Sequence, residues 1–311
     1  METFRVRHSE PGREPTLLLP LSFGVSSTAL LHLLSEHLKG QAQKTRRTGF
    51  KLLVVHIDLT TPKVDIKAQL EKVKSRFSDL NCISAPLSDI FLSEDISSLL
   101  EHQKIESASA PESSTAGEQL EHFLASLNSA TSRADAFQIL QRRLIVNLAK
   151  QHNCEAVIWG DSTTRLAERT LAETAKGRGF SLPWIVADGE SPYGIQFYYP
   201  MRELLSKEIK AYASLIEPPL DDLVLLADKK PAVSTKNTTI DDLMKQYFES
   251  VERDYPSIVA NVVKTAGKLQ PLPLSEVEKQ CELCEMPLLA NAPEKSRLCY
   301  GCIRTLPQAV D

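Results

Sequence analysis

The chain has no apolar run approaching the ~18 residues that a membrane-spanning helix needs, so a transmembrane protein is not expected. Its opening, METFRVRHSE, is charged and has no apolar core segment, and predicts no secretory signal. Cysteine is scarce: six in 311 residues is too few for a disulfide scaffold. Excess positive charge is missing as well. The formal net charge is −4, so nucleic-acid binding is not advertised by the whole chain and would need a local basic patch. What is present is ordinary globular composition, 42% apolar and 24% charged, in a length that suits one large α/β domain plus a small appendage.

Apolar runs and helical periodicities alternate along the first half. TLLLPLS (16–22) reads as a buried strand, followed by a helix over 27–38 with Leu30, Leu31, Leu33, Leu34 and Leu38 on one broad face. A polar, basic loop is expected over 39–49. FKLLVVHIDL (50–59) is a second buried strand, 63–77 a helix and 81–88 a third strand. A Ser/Ala/Glu-rich stretch over 104–119 reads as a flexible insertion. A long helix (133–153), a strand (154–162), and a helix (163–177) capped by Asp161 or Ser162 follow. A strand at 195–201 and a helix at 206–216 complete the pattern, which predicts a doubly wound, mainly parallel α/β sheet. Two helices at 241–255 and 257–269 form an extension, and a Pro-containing linker (269–280) leads to a cysteine module. The expected partition is 1–235 for the α/β domain, 236–275 for the helical extension and linker, and 276–311 for the module.

Four of the six cysteines form Cys281-x-x-Cys284 and Cys299-x-x-Cys302, separated by fourteen residues. Two such knuckles supply four thiolates to one tetrahedral zinc ion, a closed structural site with no open position for catalysis. The short module lacks the apolar mass to fold alone, so the metal would drive its folding. Cys82 and Cys154 each border a strand and read as buried free thiols.

The turn SFGVSS joins the first strand to its helix. Ser22, Gly24, Ser26 and Ser27 can present hydroxyls and backbone N–H groups to a phosphate at the helix N-terminus. A strand-to-helix turn with a capping serine is equally common for structural reasons alone. Asp58 ends the second strand, and Gly160 and Asp161 follow the fourth, at the sheet edge where such folds bind ligands. Phe23 puts a ring where a phosphate-hugging backbone would favour glycine. The basic pairs Arg46–Arg47, Arg142–Arg143 and Arg165/Arg169 suit RNA, although helix-borne charges are more often solvated faces. His56 and His152 have no evident ligand partners.

These blocks resemble the PP-loop ATP pyrophosphatase family. Its first strand ends in S-G-G-x-D-S, its second carries an acidic residue near the adenosine, and a later strand leads into G-H-N-x-D-D-x-A-E-T-x-L. Gly160, Asp161, Leu166, Ala167, Glu168 and Leu171 fall in register with that last motif. The stretches LPLSFGVSSTALLHLL, GDSTTRLAERTLAETAKGRGFSLPW, YYPMRELLSKEI and VVKTAGKL are similar to the cytoplasmic tRNA 2-thiolation proteins, and within them to the second, non-catalytic subunit. The resemblance spans 17–302. It implies a cytoplasmic heterodimer with a catalytic PP-loop thiolation subunit, acting on cytosolic tRNA. The pair would place sulfur on C2 of the wobble uridine, the sulfur coming from a thiocarboxylated ubiquitin-related modifier.

The chain departs from the family's catalytic pattern. Ser26 stands for the loop aspartate, Phe23 for a loop glycine, and Thr164 and Arg165 lie where the D-D pair is expected. Catalytic relatives carry C-x-x-C before an R-R helix, whereas SRADAFQILQRR has no cysteine, and SKEIKAYASLIEPPL lacks the relatives' third one. The expectation is no catalytic residues here and weak or absent ATP binding. Two other readings are a self-sufficient ATP-dependent tRNA sulfurtransferase and a zinc-containing adaptor without tRNA contact.

Overall fold

The computed structural model describes residue 4 and residues 14–59, 65–93, 96, 98–99, 114–225, 238–288 and 296–307. Six strands, β1 (Thr16–Pro20), β2 (Lys51–Asp58), β3 (Asn81–Pro86), β4 (Cys154–Ile158), β5 (Gly189–Glu190) and β6 (Gln196–Tyr198), form one sheet in the order β3-β2-β1-β4-β6-β5. All neighbours pair in parallel except β5 with β6. The mainly parallel α/β architecture expected from the alternating pattern is present.

The alternation of side chains along each strand feeds two cores. Leu18, Leu53, Val55, Ile57 and Val157 face one layer, while Leu17, Leu19, Leu52, Val54, Ala156 and Ile158 face the other. Continuous apolar runs such as LLL and LLVV are therefore required, because both faces of a central strand are covered. Helices α1 (Val25–Thr45), α2 (Ile66–Arg76) and α7 (Ser206–Leu215) cover the second layer. The first is covered by α3 (Ala116–Ser126), α4 (Ala130–Gln151), α5 (Thr163–Ala175), the short α6 (Leu182–Ile185), α8 (Ile240–Asp254) and α9 (Pro256–Ala266). The last helix, α10 (Tyr300–Thr305), belongs to the cysteine module, whose buried residues join that same layer.

Some boundaries differ from the expectations. The basic loop at 39–49 is helical to Thr45, because Gln, Ala and Lys are good helix formers and one half-buried glycine costs only about 1 kcal/mol. Arg46 closes α1 in the left-handed conformation, its N–H bonding the Ala42 carbonyl. Residues 104–113 of the expected insertion lie outside the described residues. Its last part opens α3, where Thr115 and Glu118 form a reciprocal capping box. That T-x-x-E spacing was a readable start signal. The third strand stops at Pro86 and continues as a 3-10 turn. Cys154 is buried as expected, but Cys82, near the edge of the sheet, is only half-buried.

Chain order places β2 and β3 on one side of β1 and β4 on the other. The connections leave in opposite directions between β1 and β4, which opens a crevice at their carboxyl ends.

Candidate functional site

The crevice is built by the turns after β1 and β4. Ser22 is exposed, Gly24 and Ser26 are half-buried, and Ser27 lies buried in the first turn of α1. Gly160 packs so closely on this turn that an added Cβ would stand 2.9 Å from the Ser27 Cα. The two predicted loops therefore meet. Asp161 follows directly, and Asp58 is half-buried at the end of β2.

The turn satisfies much of its own hydrogen-bonding capacity. The Ser22 and Ser27 hydroxyls lie 3.0 Å apart, the Ser27 hydroxyl donates to the Gly24 carbonyl at 3.1 Å, and the Gly24 N–H points to Ser22 Oγ at 3.3 Å. Asp161 is taken by Arg169, at 2.9 Å. The Ser162 hydroxyl caps α5 by accepting from the Arg165 N–H, which selects between the two expected caps. Thr164 donates to Glu252 of α8 at 3.0 Å, and Arg165 pairs with Glu168 at 2.8 Å. The positions aligned with the family's D-D pair are thus engaged within the protein, one across to α8 and the other along α5.

Phe23 departs from the expected picture. Its backbone adopts φ 57°, the conformation a glycine would favour, yet its ring is fully buried rather than projecting into the phosphate space. The ring packs 4.6 Å from the His56 ring, and its carbonyl accepts from the Leu225 N–H. His56 Nδ1 donates to the Leu21 carbonyl at 2.8 Å, and its Nε2 is buried without a partner. Burial lowers the His56 pKa, against the opposing pull of the Leu21 carbonyl and Asp58. His56 is accordingly a neutral support beneath the turn.

The second centre is the cysteine cluster. The Sγ atoms of Cys281, Cys284, Cys299 and Cys302 all lie within 4.8 Å of one another, and all four residues are buried. Each knuckle is wound by its own backbone: the Glu285 N–H bonds the Cys281 carbonyl at 2.7 Å, and the Ile303 N–H bonds the Cys299 carbonyl at 3.0 Å. Glu285 takes φ 57° to turn the first knuckle. The Glu282 N–H to the Arg297 carbonyl joins the two knuckles. Cys284 and Cys299 sulfurs are 3.8 Å apart. A regular tetrahedron with metal–sulfur bonds of about 2.3 Å has edges of about 3.8 Å. An iron–sulfur cubane puts each thiolate on a separate iron and so spreads them more widely. The close packing fits a single ion. Four thiols this crowded resist ionising together: hydrogen bonds from Cys284, Cys299 and Cys302 lower the Cys281 pKa, while Cys281, Cys284 and Cys299 raise that of Cys302. A bound dication removes that conflict.

Sequence reasoning missed how the module is held. Arg143, 3% exposed, donates from α4 to the carbonyls of Glu282 and Leu283 at 2.6 and 3.1 Å and pairs with Glu285 at 2.7 Å. The basic pair Arg142–Arg143 is thus divided, with Arg143 structural and Arg142 half-buried and stacked 5.7 Å above the Trp159 ring. Beneath the module, Asp135 of α4 meets Lys176 at 3.0 Å and also bonds Arg178 and the Thr305 hydroxyl of α10. Glu173 of α5 is 2.7 Å from both Lys176 and Arg178, and Asp241 of α8 reaches Lys176 at 3.3 Å. Burial pushes Glu173 upward, but Arg178 and Lys176 outweigh it and bring its pKa to about 2.

Residues 239–297 match the family model described as "Cytoplasmic tRNA 2-thiolation protein 2". Proteins of that name from Phaeosphaeria nodorum and Pyrenophora tritici-repentis are 47% and 44% identical to this chain. Each alignment covers 99% of this chain and 86% of the relative. Among solved structures, the U34-tRNA thiolase NcsA from Methanococcus maripaludis, with its [4Fe-4S] cluster, is similar in fold. Its TM-score is 0.56 at 12% identity, covering 90% of this chain and 79% of that one.

Proposed function

The chain belongs to the cytoplasmic tRNA 2-thiolation protein 2 family, and from that premise we propose that it is the tRNA-binding, scaffolding subunit of a thiolation complex. It pairs with a catalytic PP-loop subunit in the cytoplasm, and the pair 2-thiolates the wobble uridine of cytosolic tRNAs. A thiocarboxylated ubiquitin-related modifier delivers the sulfur to the complex. Among the described residues no helix is long and apolar enough to cross a membrane.

The observation that carries the non-catalytic role is the turn's internal closure. Ser22, Gly24 and Ser27 bond one another, and Asp161 is held by Arg169. Adenylating a carbonyl needs ATP, a divalent ion and stabilisation of the transferring group. Ser22, Gly24, Ser26, Ser27, Asp58, Gly160 and Asp161 are then a degenerate nucleotide site, kept for the fold. Cys281, Cys284, Cys299 and Cys302 hold one structural zinc ion. The chain divides into the PP-loop-like unit (1–235), the helical extension (236–275) and the zinc module (276–311).

Reconstitution tests the reading. The purified chain, its PP-loop partner, tRNA, Mg·ATP and the thiocarboxylated donor are combined, and 2-thiouridine is measured. Activity is expected from the pair and none from this chain alone. Thiolation by the isolated chain overturns the assignment.

A further inference from the structure

The turn after β6 runs along the carboxyl edge of the sheet and is tied to the start of α5. The Thr163 hydroxyl donates to the Arg202 carbonyl at 2.7 Å, and the Thr163 N–H bonds the Leu204 carbonyl at 2.9 Å. Arg202 therefore borders the β4 wall of the crevice. Its side chain is half-buried and reaches the end of α9, where a Cβ built on Gly267 would stand 2.8 Å from Arg202 Nη2. Gly267 has φ −69° and ψ −8°, right-handed helical values open to any L-residue. Its missing side chain makes room for the guanidinium rather than for an unusual backbone. Lys264, one turn earlier, and Lys268, the next residue, are exposed at the same helix end. Among the described residues none of these three cations pairs with a carboxylate. Residues 256–275 contain both lysines and no acidic residue, in a chain of net charge −4. The nearest carboxylate along the turn, Glu203, is exposed.

We propose that Arg202, Lys264 and Lys268 form a docking surface for the phosphodiester backbone of tRNA. The inference rests on the tRNA-binding reading above and gives that reading a location. A guanidinium without a carboxylate keeps its fork for a phosphate, and the two lysines add point charges beside it. All three groups are donors only, so they read backbone charge and not base identity. The negative end of the α9 dipole favours a cation, which accounts for one of them and not for three. Another cation cluster, Lys44, Arg46 and Arg47, closes α1 at the opposite, amino edge of the sheet. Its side chains are all exposed and lie away from the crevice, whereas Arg202 is held beside it.

The test uses the full chain with its catalytic partner and fluorescently labelled whole tRNA, with binding followed by anisotropy across a salt series. Arg202→Ala should weaken binding about tenfold, as loss of one charge-assisted contact predicts. Arg202→Ala, Lys264→Ala and Lys268→Ala should each lower the slope of log affinity against log salt by about one. The losses should be equal for tRNAs with uridine and with cytidine at the wobble position. Gly267→Ala should push the guanidinium aside and weaken binding, yet add nothing when combined with Arg202→Ala. Removing cations that only cap α9 would lower the melting temperature and leave affinity and slope unchanged, which overturns the surface and leaves the tRNA reading intact. Losses confined to variants of Lys44, Arg46 and Arg47 do the same. Variants that release the catalytic partner while the chain alone keeps its tRNA affinity assign the surface to that partner and also overturn it. A wild-type pair that binds tRNA no more tightly than the partner alone overturns the tRNA-binding reading as well.

Discussion

At the scale of single residues, Phe23 shows how a strand-to-helix turn can give its side chain to the interior. The residue occupies left-handed backbone space, which costs a non-glycine residue about 1–2 kcal/mol. Full burial of the ring against His56 offsets this, since burying an aromatic or aliphatic side chain contributes about 1.5–3 kcal/mol. Phe23→Ala is therefore expected to destabilise the fold by about 3–5 kcal/mol, as other core Phe truncations do. On the proposed degenerate-site reading, nucleotide affinity depends on the contacts that the turn does not offer a phosphate. Two or three missing charge-assisted hydrogen bonds at ~1.5–3 kcal/mol each take a micromolar site to roughly millimolar. Calorimetry with Mg·ATP should find weak binding that Ser27→Ala leaves unchanged. A low-micromolar dissociation constant that Ser27→Ala weakens would contradict this account.

At the scale of elements, the cysteine module has little apolar substance of its own and depends on two supports. One is the thiolate cluster, and the other is Arg143, which ties α4 to three residues of the first knuckle. Replacing Cys281 and Cys284 together with serine should abolish metal and release residues 281–302, while the parallel sheet persists. Arg143→Ala should leave the metal ligands intact but strip the knuckle carbonyls and Glu285 of their buried partner, at a cost of about 3–5 kcal/mol. Elemental analysis, with hydrogen exchange across α4 and α10, separates these outcomes. An intact wild-type chain without zinc would remove the basis of the first expectation.

At the scale of the whole molecule, the network of Asp135, Glu173, Lys176, Arg178, Asp241 and Thr305 joins α4, α5, α8 and α10. It predicts a particular response to acid. Glu173 titrates near 2 in the folded chain, against an ordinary 4.5. Its folded pKa is depressed, so its contribution to stability is complete above about pH 4.5. As pH falls from 4.5 towards 2, the unfolded chain takes up a proton that the folded chain refuses, and the contribution disappears. Denaturant titrations of wild type and Glu173→Gln should differ most near neutrality and converge as the pH drops through this window. A difference that stays constant from neutral pH to the bottom of the window would show that the network's electrostatics do not govern it.

The sequence by itself determined the sheet and the grouping of the four cysteines. Three consecutive leucines in β1 and the Leu/Val/Ile run of β2 allow only strands covered on both faces, and the spacing of the two C-x-x-C pairs predicts the cluster into which the fold gathers their sulfurs. Helix starts were legible where a side chain caps its own backbone, as at Ser162, and even the start of α3, hidden in a stretch that reads as an insertion, carried its T-x-x-E signal. Tertiary structure decided the meaning of the polar residues. Arg142 and Arg143 are adjacent in the chain, yet one side chain enters the knuckle and the other stacks on Trp159, because neighbouring positions on a helix point about 100° apart. Asp161 reads as a ligand until Arg169 is found beside it, and Phe23 reads as an obstruction until its ring is found in the core. Apolar periodicity reports which face is buried, a property local to each element. The partner of a charge is fixed by contacts between elements far apart in sequence, and only the folded chain brings those together.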